Sequence, residues 1–214
     1  MNIKINHLSK VIKGVTVLDD INLELTSGKI YGLRGKNGSG KTMLMRLLCG
    51  LILPSKGSIE IDGEVMGKDI SFPRSVGALI ENPSFLMEYS GFENLRILAS
   101  IKGEIDDQQI SNTLSAVGLD PNDKRHYRKY SLGMKQRLGI ACAVMESPEL
   151  IILDEPINAL DEKGVELVKH IMLALRDKDA LIVVACHDAE ELEYLSDEVF
   201  NLAEGKLQYG KAPI

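Results

Sequence analysis

At 214 residues the chain has room for one well-buried domain with a subdomain, and too little for two large domains. Hydrophobic and charged fractions of 44% and 26% are ordinary for a soluble globular chain, and a net charge of −6 argues against broad nucleic-acid binding, which needs a basic footprint. No stretch reaches the roughly 18 apolar residues of a membrane span; the best, from Met43 to Leu53, is short and carries Arg46. The opening MNIKINHLSK has no apolar core of a secretory leader. Cys49, Cys142 and Cys186 are far apart and each sits among apolar residues, so the expectation is three small core side chains in a reducing compartment.

In chain order, residues 3 to 26 alternate loosely and contain β-branched residues, with turns at Lys13-Gly14 and Ser27-Gly28, which predicts two or three antiparallel strands. The stretch from Ile30 to Thr42, IYGLRGKNGSGKT, is an apolar strand running into a loop with three glycines, then Lys41 and Thr42. Met43, Leu44, Leu47, Leu48 and Leu51 then recur at helical spacing. Ser58 to Asp62 reads as a strand closed by Gly63, and Val76 to Ile80 as another. Residues 90 to 130 carry few strand signals. Phe92, Leu95, Leu98 and Ala99 predict one helix, and Ile110, Leu114 and Val117 a second, closed by Gly118. Asp120 to Tyr130 is a polar, basic loop, and Leu132 to Val144 is helical again. Leu150 to Leu153 and Ala180 to Ala185 are fully apolar strands, separated by a helix with Val165, Val168, Ile171, Met172 and Leu175 on its stripe. A short acidic helix and a strand at Val199 to Leu202 complete the pattern. Strands alternating with helices predict an α/β fold with a parallel sheet, an antiparallel start and a helical insertion.

Gly35, Lys36, Asn37, Gly38, Ser39, Gly40, Lys41 and Thr42 fit the phosphate-binding P-loop pattern in its required strand–loop–helix context. Glycines let successive N–H groups converge on phosphate oxygens, and the new helix adds its positive end. Lys41 supplies a point charge to the outer phosphates, and the Thr42 hydroxyl is a magnesium ligand. A nucleoside triphosphate with Mg2+ is therefore expected. Asp154 and Glu155 follow an apolar strand as the second element of such a site: Asp154 to support the metal, Glu155 to polarise the attacking water.

Residues 130 to 141, YSLGMKQRLGIA, make the reading more specific. They resemble the signature motif of the ATP-binding-cassette (ABC) ATPases, usually Leu-Ser-Gly-Gly-Gln, in the form carried by bacterial cassettes related to bacitracin and lantibiotic self-protection exporters. Physically, Ser131 can cap a helix and Gly133 can expose a backbone N–H, which makes a second anion site. Asn158 to Asp161 resembles the family's D-loop, and His187 stands where the family has the histidine that contacts the terminal phosphate. The resemblance covers essentially all 214 residues. It implies a single nucleotide-binding domain, with a P-loop NTPase core, an N-terminal antiparallel β subdomain and an inserted α-helical subdomain from roughly residue 84 to 146.

Three positions depart from the family pattern. Glu81 replaces the usual Gln after the Val76–Ile80 strand; its oxygens could still reach the metal, but it adds negative charge near the phosphates. Ile12 stands where an adenine-stacking aromatic is usual, and Met43 where a second hydroxyl often follows the P-loop Thr. Weaker nucleotide binding with hydrolysis retained is the expectation. The resemblance further implies a head-to-tail dimer, with a second copy or a homologous cassette, in which each ATP lies between one P-loop and the partner's Ser131–Lys135 segment. It implies a separate membrane-spanning permease that contacts the Pro83–Tyr89 region, where Phe85, Leu86, Met87 and Tyr89 cluster, and a cytoplasmic location at the inner face of the membrane. The leading function is thus the ATPase subunit of an exporter of peptide antibiotics or other amphiphiles. The alternative is a soluble ABC ATPase serving a non-transport assembly; a P-loop GTPase or kinase lacks support, since no Asn-Lys-x-Asp motif is present.

Overall fold

The computed structural model describes residues 1–186 and 189–208. Two sheets carry the fold. The first is antiparallel: β1 (Asn2–Ile12) and β2 (Val15–Thr26) form a hairpin, and β4 (Lys56–Ile61) pairs with the other edge of β1, followed by the short β5 (Glu64–Val65). The hairpin turns at Lys13 and Gly14, both at positive φ (48° and 83°), a two-residue turn whose twist suits the flanking strands. The second sheet has the order β10-β9-β3-β8-β7-β6. Its members are β3 (Lys29–Arg34), β6 (Val76–Leu79), β7 (Leu150–Asp154), β8 (Leu181–Ala185), β9 (Glu198–Ala203) and β10 (Lys206–Gln208), all parallel except β10.

Every residue of β7 and β8 is buried because both faces of this sheet are covered. Alternation divides them. Leu150, Ile152, Leu181 and Val183 face the antiparallel sheet and α1 (Lys41–Leu48), packing with Ile3, Ile5, Leu44 and Leu48. Ile151, Leu153, Ile182 and Val184 face the other helices: α2 (Gly91–Lys102), α3 (Asp107–Ala116), α4 (Leu132–Val144), α5 (Glu162–Arg176) and α6 (Ala189–Leu195). The inserted helices α2 to α4 share this second core with the sheet. With all side chains of the central strands committed to packing, polar chemistry is left to the strand ends, where open α/β sheets bind ligands.

Helix starts follow the sequence signals. Ser90 with Glu93, and Asp106 with Gln109, form reciprocal capping boxes on α2 and α3, and Ser131 caps α4. Two expectations change. The apolar repeat out to Leu51 overruns α1, which ends at Leu48; Gly50 takes a left-handed φ of 73°, and Leu51 is exposed. Cys49 and Cys186 are core residues, but Cys142 is only half-buried. Burial pushes the thiols of Cys49 and Cys142 up to about 12 and about 11, so both are inert at neutral pH.

The basic loop before α4 is also more ordered than its composition suggests. It contains a single 3-10 turn, Tyr127–Lys129, and buries two tyrosines. The Tyr127 hydroxyl donates to the Pro83 carbonyl at 2.8 Å, and the Tyr130 hydroxyl accepts from Gly91 N–H at 3.0 Å. Backbone bonds from Tyr127 to Tyr89 and from Arg128 to Met87 hold the 83–89 segment alongside.

Helix α4 lies so close to β6 that a Cβ on Gly77 would overlap the Ala143 carbonyl. Backbone cannot yield as a flexible side chain can. Gly77→Ala is therefore expected to destabilise the fold by about 3 kcal/mol, near the upper end of ordinary overpacking costs. Urea unfolding of the purified variant measures this; a midpoint unchanged from the natural chain would refute the close α4–β6 contact.

Candidate active site

Residues 35–40 leave the end of β3 and wrap back to the start of α1. Gly40 is held at φ 110°, and a Cβ there would press on Leu18 and the Val17 carbonyl, so glycine is needed for both conformation and space. A Cβ on Gly35 would run into the Leu202 carbonyl and Ser39 Oγ. Ser39 is buried, with its carbonyl accepting from Gly205 N–H. Lys41 is buried too, and its Nζ donates to the Gly35 carbonyl at 2.6 Å and the Lys36 carbonyl at 3.3 Å. The ammonium is thus held inside the ring of the loop, at the N-terminus of a helix, where anions are favoured.

Thr42 Oγ1 donates to Asp154 Oδ2 at 2.7 Å. Asp154, the last residue of β7, is only 8% exposed. Burial raises its pKa, while the Thr42 hydrogen bond opposes that shift; the neighbouring Glu155 charge raises it further and Lys41 lowers it. Glu155 turns the chain out of β7 at a φ of 51°, with its N–H donating to the Ala185 carbonyl at 2.8 Å. A non-glycine residue in this conformation costs backbone energy and persists only where its surroundings enforce it.

A cleft of about 720 Å³ joins these parts. Asn37, Gly38, Gly40, Lys41, Thr42, Asp154 and Glu155 line its polar side, and Ile12, Lys13, Val15, Val17 and Met43 its other wall. Ile12 and Met43 therefore lie in the same cleft as the phosphate loop, beside Val15, Val17 and Lys13. Among the described residues no three His, Cys, Asp or Glu side chains converge as a metal cage. A hydroxyl and a carboxylate in contact still fit Mg2+, which keeps its waters and takes its remaining ligands from substrate phosphates.

Ser131 and Gly133 are elsewhere. Ser131 Oγ accepts from Met134 N–H at 3.2 Å, and both residues line a separate cleft of about 660 Å³ with Leu132, Ala159, Leu160 and Asp161. The two clefts have no lining residue in common. Glu81, expected from sequence to reach the metal, accepts a hydrogen bond from Arg46 at 2.6 Å. His187 lies outside the described residues. Of the apolar cluster at 83–89, Phe85 turns inward, edge-on to Tyr127 with ring centroids 5.3 Å apart, while Leu86, Met87 and Tyr89 are exposed.

Gln136 and Arg137, neighbours on α4 with no role predicted from sequence, tie that helix to its surroundings. Gln136 of α4 donates through Nε2 to the carbonyls of Glu155 and Pro156, at 3.0 and 3.1 Å. Arg137 donates to the Val117 carbonyl and to Asp161 Oδ1, and Asp161 in turn caps α5 through Gly164 N–H. Polar side chains inside a helix that begins with a capped, exposed motif were the available signal.

A strand–loop–helix holding a buried lysine, joined by a threonine–aspartate bond to the end of a neighbouring parallel strand, defines a P-loop NTPase. The family model described as "ABC transporter" matches residues 18–158. Over 206 residues the chain is 48% identical to the uncharacterized ABC transporter ATP-binding protein YybJ of Bacillus subtilis (strain 168), covering 96% of this chain and 94% of that one. It is 39% identical to the bacitracin transport ATP-binding protein BcrA of Enterococcus faecalis, covering 96% and 67%, and 36% identical to the lantibiotic transport ATP-binding protein SrtF of Streptococcus pyogenes, covering 96% and 88%. Among solved structures, the ATP-binding subunit of an ABC transporter superposes with a TM-score of 0.87 at 26% identity, covering 97% and 88% of the two chains. The dimeric cassette MJ0796 has the same fold, with a TM-score of 0.87 at 21% identity and 96% of each chain covered. This chain belongs to the ABC transporter family, as an ATP-binding subunit with ATPase activity.

Gln136→Leu removes the amide that serves two carbonyls at the end of β7. A loss of about 1–3 kcal/mol of stability is expected, the usual cost of orphaning buried acceptors. ATP turnover should fall with it; full turnover with unchanged stability would show that the link is dispensable.

Proposed function

We propose that this chain powers an exporter of peptide antibiotics or similar amphiphiles, as the ATPase partner of a separate membrane-spanning permease. The named bacitracin and lantibiotic relatives, each aligned over 96% of this chain, support that cargo class over a soluble non-transport assembly. Among the described residues no helix is long and apolar enough to cross a membrane; the transport ATP-binding relatives support a place at the membrane's inner, cytoplasmic face, beside the permease.

The observation that carries the mechanism is the pair of separate clefts. In our reading Gly35 to Thr42 hold the triphosphate, with Thr42 and Asp154 supporting Mg2+, and Ile12 lies beside the base. When bound, the metal would neutralise charge on the β- and γ-phosphate oxygens. Glu155 orients and polarises the attacking water, and His187 contacts the terminal phosphate. The Ser131–Gly133 cleft meets the nucleotide of a second, head-to-tail copy or of a homologous cassette. ATP is then a bridging ligand, which favours the closed pair for as long as the γ-phosphate touches both sides. Residues 84–146 act as the helical subdomain that carries Ser131 toward the partner, and Gln136 reports its position to the backbone at Glu155.

Glu155→Gln removes the carboxylate and keeps its shape, so this variant should accumulate as an ATP-dependent dimer. Light scattering after gel filtration in saturating MgATP checks this, and a monomer under those conditions would falsify the bridging model. The exposed Leu86, Met87 and Tyr89 form the permease-facing patch in this reading. Met87→Asp should therefore abolish cargo resistance in cells and leave the ATPase activity of the isolated chain within about twofold, because the substitution lies on an exposed surface. Retained resistance would move the docking site elsewhere. Phe85 is unsuitable for this test, since it packs against Tyr127.

A further inference from the structure

Glu81 lies two residues past the end of β6, at a φ of 64°. Its Oε1 accepts from Arg46 Nη2 at 2.6 Å. Arg46 lies one helical turn beyond Thr42 on α1, and residues four apart share a helix face. That face sends the Thr42 hydroxyl to Asp154 at the end of β7 and the Arg46 guanidinium to Glu81 just past the end of β6. β6 and β7 are neighbours, with Leu79 opposite Leu153. Two acidic residues therefore stand near each other at the carboxyl edge of the sheet, each held by α1.

A carboxylate in this place opposes the binding of a polyphosphate unless its charge is offset. We infer that Arg46 is a positioning residue for the nucleotide site: it neutralises Glu81 and holds that carboxylate against α1, which lets an acidic residue occupy position 81 beside the phosphates. The inference rests on the reading that Lys41 and Thr42 hold the triphosphate. It makes Arg46 and Glu81 unequal. Loss of the arginine leaves a bare negative charge near the phosphates, whereas loss of the glutamate leaves a bare positive one. A pair serving only to brace the fold would behave symmetrically, and removing either member would cost stability alone.

The test is a MgATP titration by calorimetry on the natural chain and on Arg46→Met, Arg46→Lys, Glu81→Gln, the Arg46→Met/Glu81→Gln double variant and Lys41→Ala, with a thermal melt of each without nucleotide. The expected result is MgATP affinity about tenfold weaker in Arg46→Met, the scale of one partly screened charge near a polyphosphate. Arg46→Lys should stay within about twofold, because the charge is kept. Glu81→Gln should bind more tightly than the natural chain, and the double variant should recover from the Arg46→Met loss. Equal affinities across the Arg46 and Glu81 variants, with matching losses in melting temperature, would reduce the pair to a brace and overturn the inference. So would weaker binding by Glu81→Gln, which decides the matter even if Arg46→Met does not fold. If the natural chain fails to bind MgATP, or Lys41→Ala binds it equally well, the nucleotide reading itself is wrong and the inference falls with it.

Discussion

A carboxylate at the end of a strand with no exposed face is costly to keep charged, and the hydrogen bond from Thr42 to Asp154 is what holds it. That bond joins the first turn of α1 to the end of β7, which are separated by most of the chain. The phosphate loop cannot take its shape without α1, and α1 is seated by the same apolar face that covers Leu150 and Ile152. Lys41, Thr42, Asp154 and the turn at Glu155 are consequences of one packing arrangement: two cores pressed on opposite faces of the sheet, with the wholly apolar strand β7 reaching a polar residue only at its carboxyl end.

The edge is also where the inserted helices report. Helix α4 is pinned to β6 by the absent side chain of Gly77 and to the end of β7 by Gln136. Arg137 extends the connection to the C-terminal end of α3 and to the residue that caps α5. A shift of the Ser131 cleft must therefore be transmitted to the backbone beside Glu155 or break these bonds. The hydrogen bonds of Gln136 and Arg137 thus tie the helix that carries Ser131 to the backbone at Glu155 and to the start of α5.

Position 81 shows how a departure from a family pattern is absorbed. Read alone, an acidic residue near phosphates looks unfavourable. Beside Arg46, one turn along the helix that starts at the phosphate loop, its charge is matched before any nucleotide arrives. Ile12 and Met43 are different: they bring apolar side chains to the cleft that Lys41 and Thr42 also line.

Much of this was legible in the chain. The P-loop is read from eight contiguous residues because its chemistry is backbone chemistry: glycine conformations and a helix start are local properties. The apolar runs of β7 and β8 are readable because a strand covered on both faces has no room for polar residues. Other features belong to tertiary structure. That β4, after the P-loop helix, returns to pair with β1, that Phe85 faces Tyr127 while Leu86 and Met87 are exposed, and that Glu81 meets Arg46 all depend on residues distant in sequence. A helix break such as the one at Gly50 overrides an apolar spacing that runs on to Leu51, since backbone geometry and burial decide where a repeat stops. Local conformational preference could be read from neighbours along the chain; side-chain direction and charge pairing were set only when the sheet brought its strand ends together.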